Sequence, residues 1–117
     1  MSPSSPPTKR CFVSNRGIHD YSLLARFGTT IFVTDGRVNL SDINSIGSEW
    51  ARALRDSSPD DYIVPSGPLL LNMIGASLFA SLHGRLNLLL FKGDPAQPGS
   101  GHYVPREIPM ASLMGAM

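Results

Sequence analysis

One stretch, from Asp60 to Phe91, constrains what this chain can fold into more than any other. It reads as a short strand (Asp61, Tyr62, Ile63, Val64), a Pro65-Ser66-Gly67-Pro68 corner, and an apolar helix from Leu69 to about His83. A His83-Gly84-Arg85 break and a second strand, Leu86 to Phe91, complete it. Strand, corner, helix and strand in that order form a βαβ unit, whose crossover makes its two strands parallel. Between Leu69 and Leu82 only Asn72, Gly75, Ser77 and Ser81 interrupt the apolar residues, which predicts a helix buried on every side. At about 1.5 Å per residue it is too short for the hydrocarbon core of a bilayer, so no membrane partner is expected. Gly75, Ala76, Ala80 and Ser81 would let a neighbouring backbone come close. In so small a domain, a sheet on one side and a second subunit on the other would cover the helix, and a homodimer is expected.

A second, smaller unit precedes it. Cys11-Phe12-Val13 is a short apolar strand followed by a Ser14-Asn15-Arg16-Gly17 loop. Asp20 is placed to cap a helix from Tyr21 to Phe27 that stops at Gly28, the usual C-terminal glycine. Thr29 to Thr34 is wholly β-branched or aromatic and predicts a strand. Asp35-Gly36 would serve either as a hairpin turn, making Arg37 to Leu40 a strand, or as the start of a loop. The loop is preferred, because Ser41 and Asp42 are good caps and Ile43, Ile46, Trp50, Ala53 and Leu54 share one face of a helix from about Asp42 to Arg55. Lys92 to His102, rich in Gly and Pro, predicts a loop, and Tyr103 to Ile108 an edge strand able to accept Pro105. Pro109 to Met117 carries three methionines and reads as a docking helix or a tail.

With 117 residues the chain is read as one α/β domain over 10–108, a disordered Ser/Pro-rich tail over 1–9 and a C-terminal segment over 109–117. The formal charge is +1 and only 16% of residues are charged, which disfavours a nucleic-acid partner bound by bulk electrostatics. Arg37, Arg85, Lys92 and Arg106 are read as scattered solvated charges. Cys11 is the one cysteine, so an internal disulfide and multi-thiolate zinc sites are excluded. The missing disulfide framework, and a start without an apolar stretch, give a cytoplasmic expectation.

The assembled expectation is a small Rossmann-like (flavodoxin-like) three-layer α/β domain with a mainly parallel four- to five-stranded sheet and helices on both faces. Ligands in such sheets bind beyond the carboxyl ends of the strands. Those ends predict a ligand-binding set of Ser14, Asn15, Arg16, His19, Thr34, Asp35, Ser66, Gly67 and Lys92. Gly67 would turn the chain and Pro68 would take the first helical position, leaving amides free for an anion such as phosphate.

No Walker loop or G-x-G-x-x-G fingerprint occurs, and no cofactor is predicted. His19 beside Asp20 is a candidate general base. The alternative is a helix cap with a solvated imidazole; no metal is predicted, because the histidines lack ligand spacing. Ser66 is a candidate nucleophile without the flanks of an elbow, since Val64 and Pro68 stand where glycines would be. Cys11 reads as a small core residue. Catalysis is therefore left unassigned. The function expected is a small cytoplasmic module binding a nucleotide or other phosphate-bearing ligand, with nucleotide processing as an extension. The alternative is a non-catalytic adaptor or inhibitor acting through a homodimer or partner surface.

Overall fold

A computed structural model describes residues 8–117, so most of the expected tail over 1–9 lies outside the described residues. The chain forms β1 (Arg10–Arg16), a 3-10 turn (Ser22–Arg26), β2 (Thr29–Asp35), α1 (Ile43–Ala53), β3 (Tyr62–Val64), α2 (Leu69–His83), β4 (Arg85–Gly93), β5 (Gly101–Pro109) and α3 (Met110–Gly115). One sheet results, in the order β2-β1-β3-β4-β5. The β1–β2, β1–β3 and β3–β4 pairs are parallel, and β5 runs antiparallel to β4 at the edge. Ile63 pairs with Leu88, so the βαβ unit around α2 closes in the expected sense. Asp35-Gly36 opens a loop, with Gly36 at φ 75° and its N–H on the Arg16 carbonyl at 3.2 Å. Arg37 to Leu40 forms no strand.

The two faces of the sheet are covered unequally. On one face, Phe12, Val33 and Ile63 pack against Ile46 and Trp50 from α1, Leu54 at its C-cap, and Leu71 and Phe79 from α2. On the other, Cys11, Val13, Tyr62, Val64, Leu89 and Tyr103 meet, among the described residues, Leu24 from the 3-10 turn, with Tyr21 and Phe27 beside it. The helix expected over Tyr21 to Phe27 is thus a single short 3-10 piece, and the second helical layer is thin. Gly28 is not left-handed; a Cβ there would run into the Lys9 carbonyl, which accepts the Thr29 N–H at 2.8 Å. Its role is to let the crossover pass the start of β1, not to end a helix in the αL conformation.

Helix α2 departs from the expectation of burial all round. Leu71, Gly75 and Phe79 are buried, but Leu69, Met73 and Leu82 are 73%, 52% and 59% exposed. The small residue Gly75 serves a contact within the chain: the Trp50 indole lies where a Cβ would be, and its Nε1–H donates to the Leu71 carbonyl at 2.9 Å. An indole from α1 therefore takes the close approach expected of a neighbouring backbone, and Leu69 and Met73, one turn apart, stay without cover among the described residues. Ile43, expected on the packed face of α1, is half exposed in the first turn, while Asp42 caps the helix through Ser45 N–H at 3.0 Å. Segment Pro109 to Met117 forms the short α3, tied at its start by Met110 N–H to the Gly84 carbonyl at 3.0 Å. Leu113, Met114 and Met117 stay exposed. Among the described residues no helix is long and apolar enough to cross a membrane.

Buried Asp61 closes the end of the sheet opposite the strand carboxyl ends. Its carboxylate accepts the Arg10 and Ser58 amides at 2.8 and 2.7 Å, and its carbonyl accepts Asn87 Nδ2 at 2.9 Å. Asp61→Ala strands two amides and is expected to cost about 3 kcal/mol in urea unfolding, with Asp61→Asn costing less because one acceptor is kept. Burial, then the Asp61 charge, push the Cys11 thiol up to about 11 from 9.0. The unfolded chain releases that proton first, so stability falls as pH rises from 9.0 towards about 11. Cys11→Ala should lack this part of the alkaline slope, measured as the difference between the two proteins' unfolding free energies across that range.

Candidate functional site

The carboxyl ends of β1, β3 and β4 open onto a crevice of about 620 Å³ on the thinly covered face of the sheet. The loop after β1 contributes His19, Asp20 and Tyr21 to it, and the corner after β3 contributes Val64 to Gly67. The β4–β5 hairpin contributes Phe91, Asp94 and Tyr103. The antiparallel register sets Phe91 opposite Tyr103, and their rings meet edge to face at 5.3 Å. Tyr21 is anchored from below, edge-on to Phe32 at 5.3 Å. Its hydroxyl accepts the Gly17 N–H at 2.9 Å and donates to the Asn15 carbonyl at 3.4 Å, fixing the loop that carries His19.

Of the nine residues expected to bind ligand, the structure gathers His19, Ser66 and Gly67. Thr34 and Asp35 line a separate hollow of about 350 Å³ between β2 and α1, so the expected common rim is divided in two. Asn15 stands between them in a holding role: Nδ2 donates to the Gly36 carbonyl at 2.9 Å, and Oδ1 accepts from Thr34 Oγ1 at 3.0 Å. Ser14 is fully buried, and its hydroxyl has no hydrogen-bond partner among the described residues. The Arg16 guanidinium lies over the Phe32 ring at 4.8 Å, outside the crevice lining. Lys92 also lies outside that lining; its neighbour Phe91 is within it, as the alternation of side chains along a strand requires.

The corner after β3 is tied by side chains. Ser66 Oγ donates to the Asn15 carbonyl at 2.8 Å and accepts the Asn15 N–H at 3.0 Å, continuing the β1–β3 pairing beyond Val64. Its hydrogen bonds are thus to backbone, with no base among them. Asn72 accepts the Ser66 N–H at 3.1 Å and donates to the Ser66 and Pro68 carbonyls at 3.0 and 2.9 Å. Gly67 sits at φ 74°, where a Cβ would come within 2.9 Å of Asn15 Cβ. Pro68 is the N-cap of α2 instead of its first helical residue. The first-turn amides from Leu69 to Leu71 have no intrahelical acceptors, as at any helix start.

Among the described residues no hydrogen bond joins His19 to Asp20. Asp20 Oδ1 accepts the Ser22 N–H at 2.9 Å, a bond that holds its carboxyl below the usual range. His19 is instead edge-on to Tyr21, with ring centroids 6.3 Å apart. Burial raises the Tyr103 phenol, with Tyr21, Asp20 and Cys11 adding to the effect, so the phenol stays protonated as a donor. Asp94 Oδ1 accepts the Ala96 N–H at 2.9 Å. Among the described residues no group of three His, Cys, Asp or Glu could hold a metal. Sequence reasoning missed the aromatic lining: Tyr21 reads as the start of a helix and Tyr103 as edge strand, and only the hairpin register brings Tyr103 to Phe91.

The geometry separates two serines that look alike in sequence. Ser66→Ala removes both bonds to the Asn15 backbone and is expected to lower stability by about 1–2 kcal/mol. Ser14→Ala removes a buried hydroxyl without a partner and should be neutral or stabilising by up to about 1 kcal/mol, read from the same urea midpoints. No protein-family model matches the chain, and neither the curated proteins nor the solved structures hold a match to it.

Proposed function

We propose that the protein is a small-molecule-binding module whose site is the crevice at the carboxyl ends of β1, β3 and β4. One observation carries this reading: the cavity lies where the chain, having moved from β1 out to β2, reverses and passes β1 to reach β3. In flavodoxin-like sheets of strand order 2-1-3-4-5, that reversal is where the ligand sits. The antiparallel β5 departs from that plan and supplies, with β4, the aromatic side of the crevice. A nucleotide or related heteroaromatic compound is the ligand class proposed, held by its ring against Tyr21, Phe91 and Tyr103. A phosphate on such a ligand would meet His19, since neither Arg16 nor Lys92 lines the cavity. The unpaired Cys11 fits a reducing, cytoplasmic setting.

A second reading, an adaptor or inhibitor working as a homodimer or on a protein partner, is favoured by the uncovered Leu69 and Met73, which share one face of α2. Light scattering at increasing concentration checks it: a dimer that Met73→Asp dissociates supports it, and a monomer throughout removes the homodimer.

The binding reading is tested by thermal shift and amide chemical-shift mapping with adenosine, guanosine, their monophosphates and inorganic phosphate. Nucleosides and nucleotides should raise the melting temperature and move signals from Tyr21, Phe91 and Tyr103. Phe91→Ala, at a ring already 56% exposed, should leave stability nearly unchanged yet weaken binding by about tenfold. Shifts confined to other surfaces, or none, would refute the site.

A further inference from the structure

We infer that the crevice selects a flat heteroaromatic ligand that carries a positive charge. This deepens the binding reading and rests on it. Among the described residues, Asp20, Asp94 and His19 are the titratable groups at the cavity besides the tyrosines, and no lysine or arginine lines it. The basic side chains nearest in sequence are placed elsewhere: Arg16 over Phe32, and Lys92 outside the lining. Each carboxylate spends Oδ1 on a backbone amide of its own loop, Asp20 on Ser22 and Asp94 on Ala96. The Ser22 hydroxyl also helps to hold the Asp20 carboxyl below its usual range.

The two aspartates come from different segments, the loop after β1 and the loop after β4; Tyr21 follows Asp20 in the first, and Phe91 and Tyr103 flank Asp94 on the β4–β5 hairpin. Aromatic faces attract cations through their quadrupole, and carboxylates beside them add charge attraction while opposing an anion at the same place. Phe91, an exposed aromatic next to this cavity, pairs with Tyr103 and supplies such a surface. A neutral ring would gain the stacking alone, and an anionic ring would lose part of it to repulsion. The lining therefore ranks ring ligands in the order cation, neutral, anion.

Three probes of one size isolate the charge: 1-methylnicotinamide (cation), nicotinamide (neutral) and nicotinate (anion), titrated into the full chain and followed by amide chemical shifts. The cation should bind about tenfold tighter than the neutral ring, with the anion weakest, and the preference should shrink several-fold as salt rises from about 20 to about 300 mM. Asn at both positions keeps an Oδ1 acceptor for Ser22 and Ala96, so the Asp20→Asn, Asp94→Asn double variant should retain its amide spectrum and bring the three affinities to within about threefold. Equal binding of the three probes in the wild type, tightest binding of nicotinate, or an unchanged preference in the double variant would overturn the charge inference while leaving the crevice as the site. No crevice shift with any probe or nucleoside would overturn both.

Discussion

The pairing of β1 with β3 is the constraint on which the rest of this fold depends. Three residue pairs, Cys11 with Tyr62, Phe12 with Ile63 and Val13 with Val64, fix it, and β3 has no further residues in the ladder. A strand so short needs help at both ends. Asp61 provides it at one, holding the Arg10 amide, and Ser66 at the other, holding the Asn15 backbone in both directions. With that register set, side-chain alternation sends Phe12 and Ile63 to the helical face and Cys11, Val13, Tyr62 and Val64 to the opposite one. The same pairing brings the loop after β1 beside the corner after β3, which is where the crevice begins.

Unequal cover of the two faces follows from crossover length. The chain between β2 and β3 has room for α1, which with its C-cap can lay Ile46, Trp50 and Leu54 into the core and send the Trp50 indole against Gly75 of α2. The chain between β1 and β2 has room only for the 3-10 turn, so that face buries Leu24 and leaves the ends of β4 and β5 open. An apolar ring such as Phe91 then remains more than half exposed beside a cavity, a position where a ligand can add burial that the fold itself lacks. Openness on this face and packing on the other are two results of one distribution of chain length.

Ser66 shows how such a site divides labour. Its place at a strand end, before a glycine and a helix, suggests chemistry when read along the chain, yet in space its hydroxyl extends the β1–β3 pairing inside the sheet. Asn15 and Asn72 hold the rim from outside the cavity lining, Ser66 both lines the cavity and is tied into the rim, and His19, Asp20, Tyr21, Phe91, Asp94 and Tyr103 make up the rest of the polar and aromatic lining. Rigid backbone ties under an aromatic lining are what preorganised ring binding requires, because the bonds that shape the corner do not have to break when a ligand enters.

The α/β class, the parallel βαβ unit around α2, the loop after Asp35 and the corner at Gly67 follow from the order of residues alone. Each rests on local physics: apolar period, β-branched runs, caps, and a glycine where φ must be positive. The mixed sheet as a whole, the exposure of Leu69 and Met73, the use of Gly75 by Trp50 and of Gly28 by Lys9, and the meeting of Tyr21, Phe91 and Tyr103 came only with the tertiary structure. Those depend on which distant segment arrives opposite a given side chain, and on how much chain is left to cover a face, quantities that no local window of sequence contains.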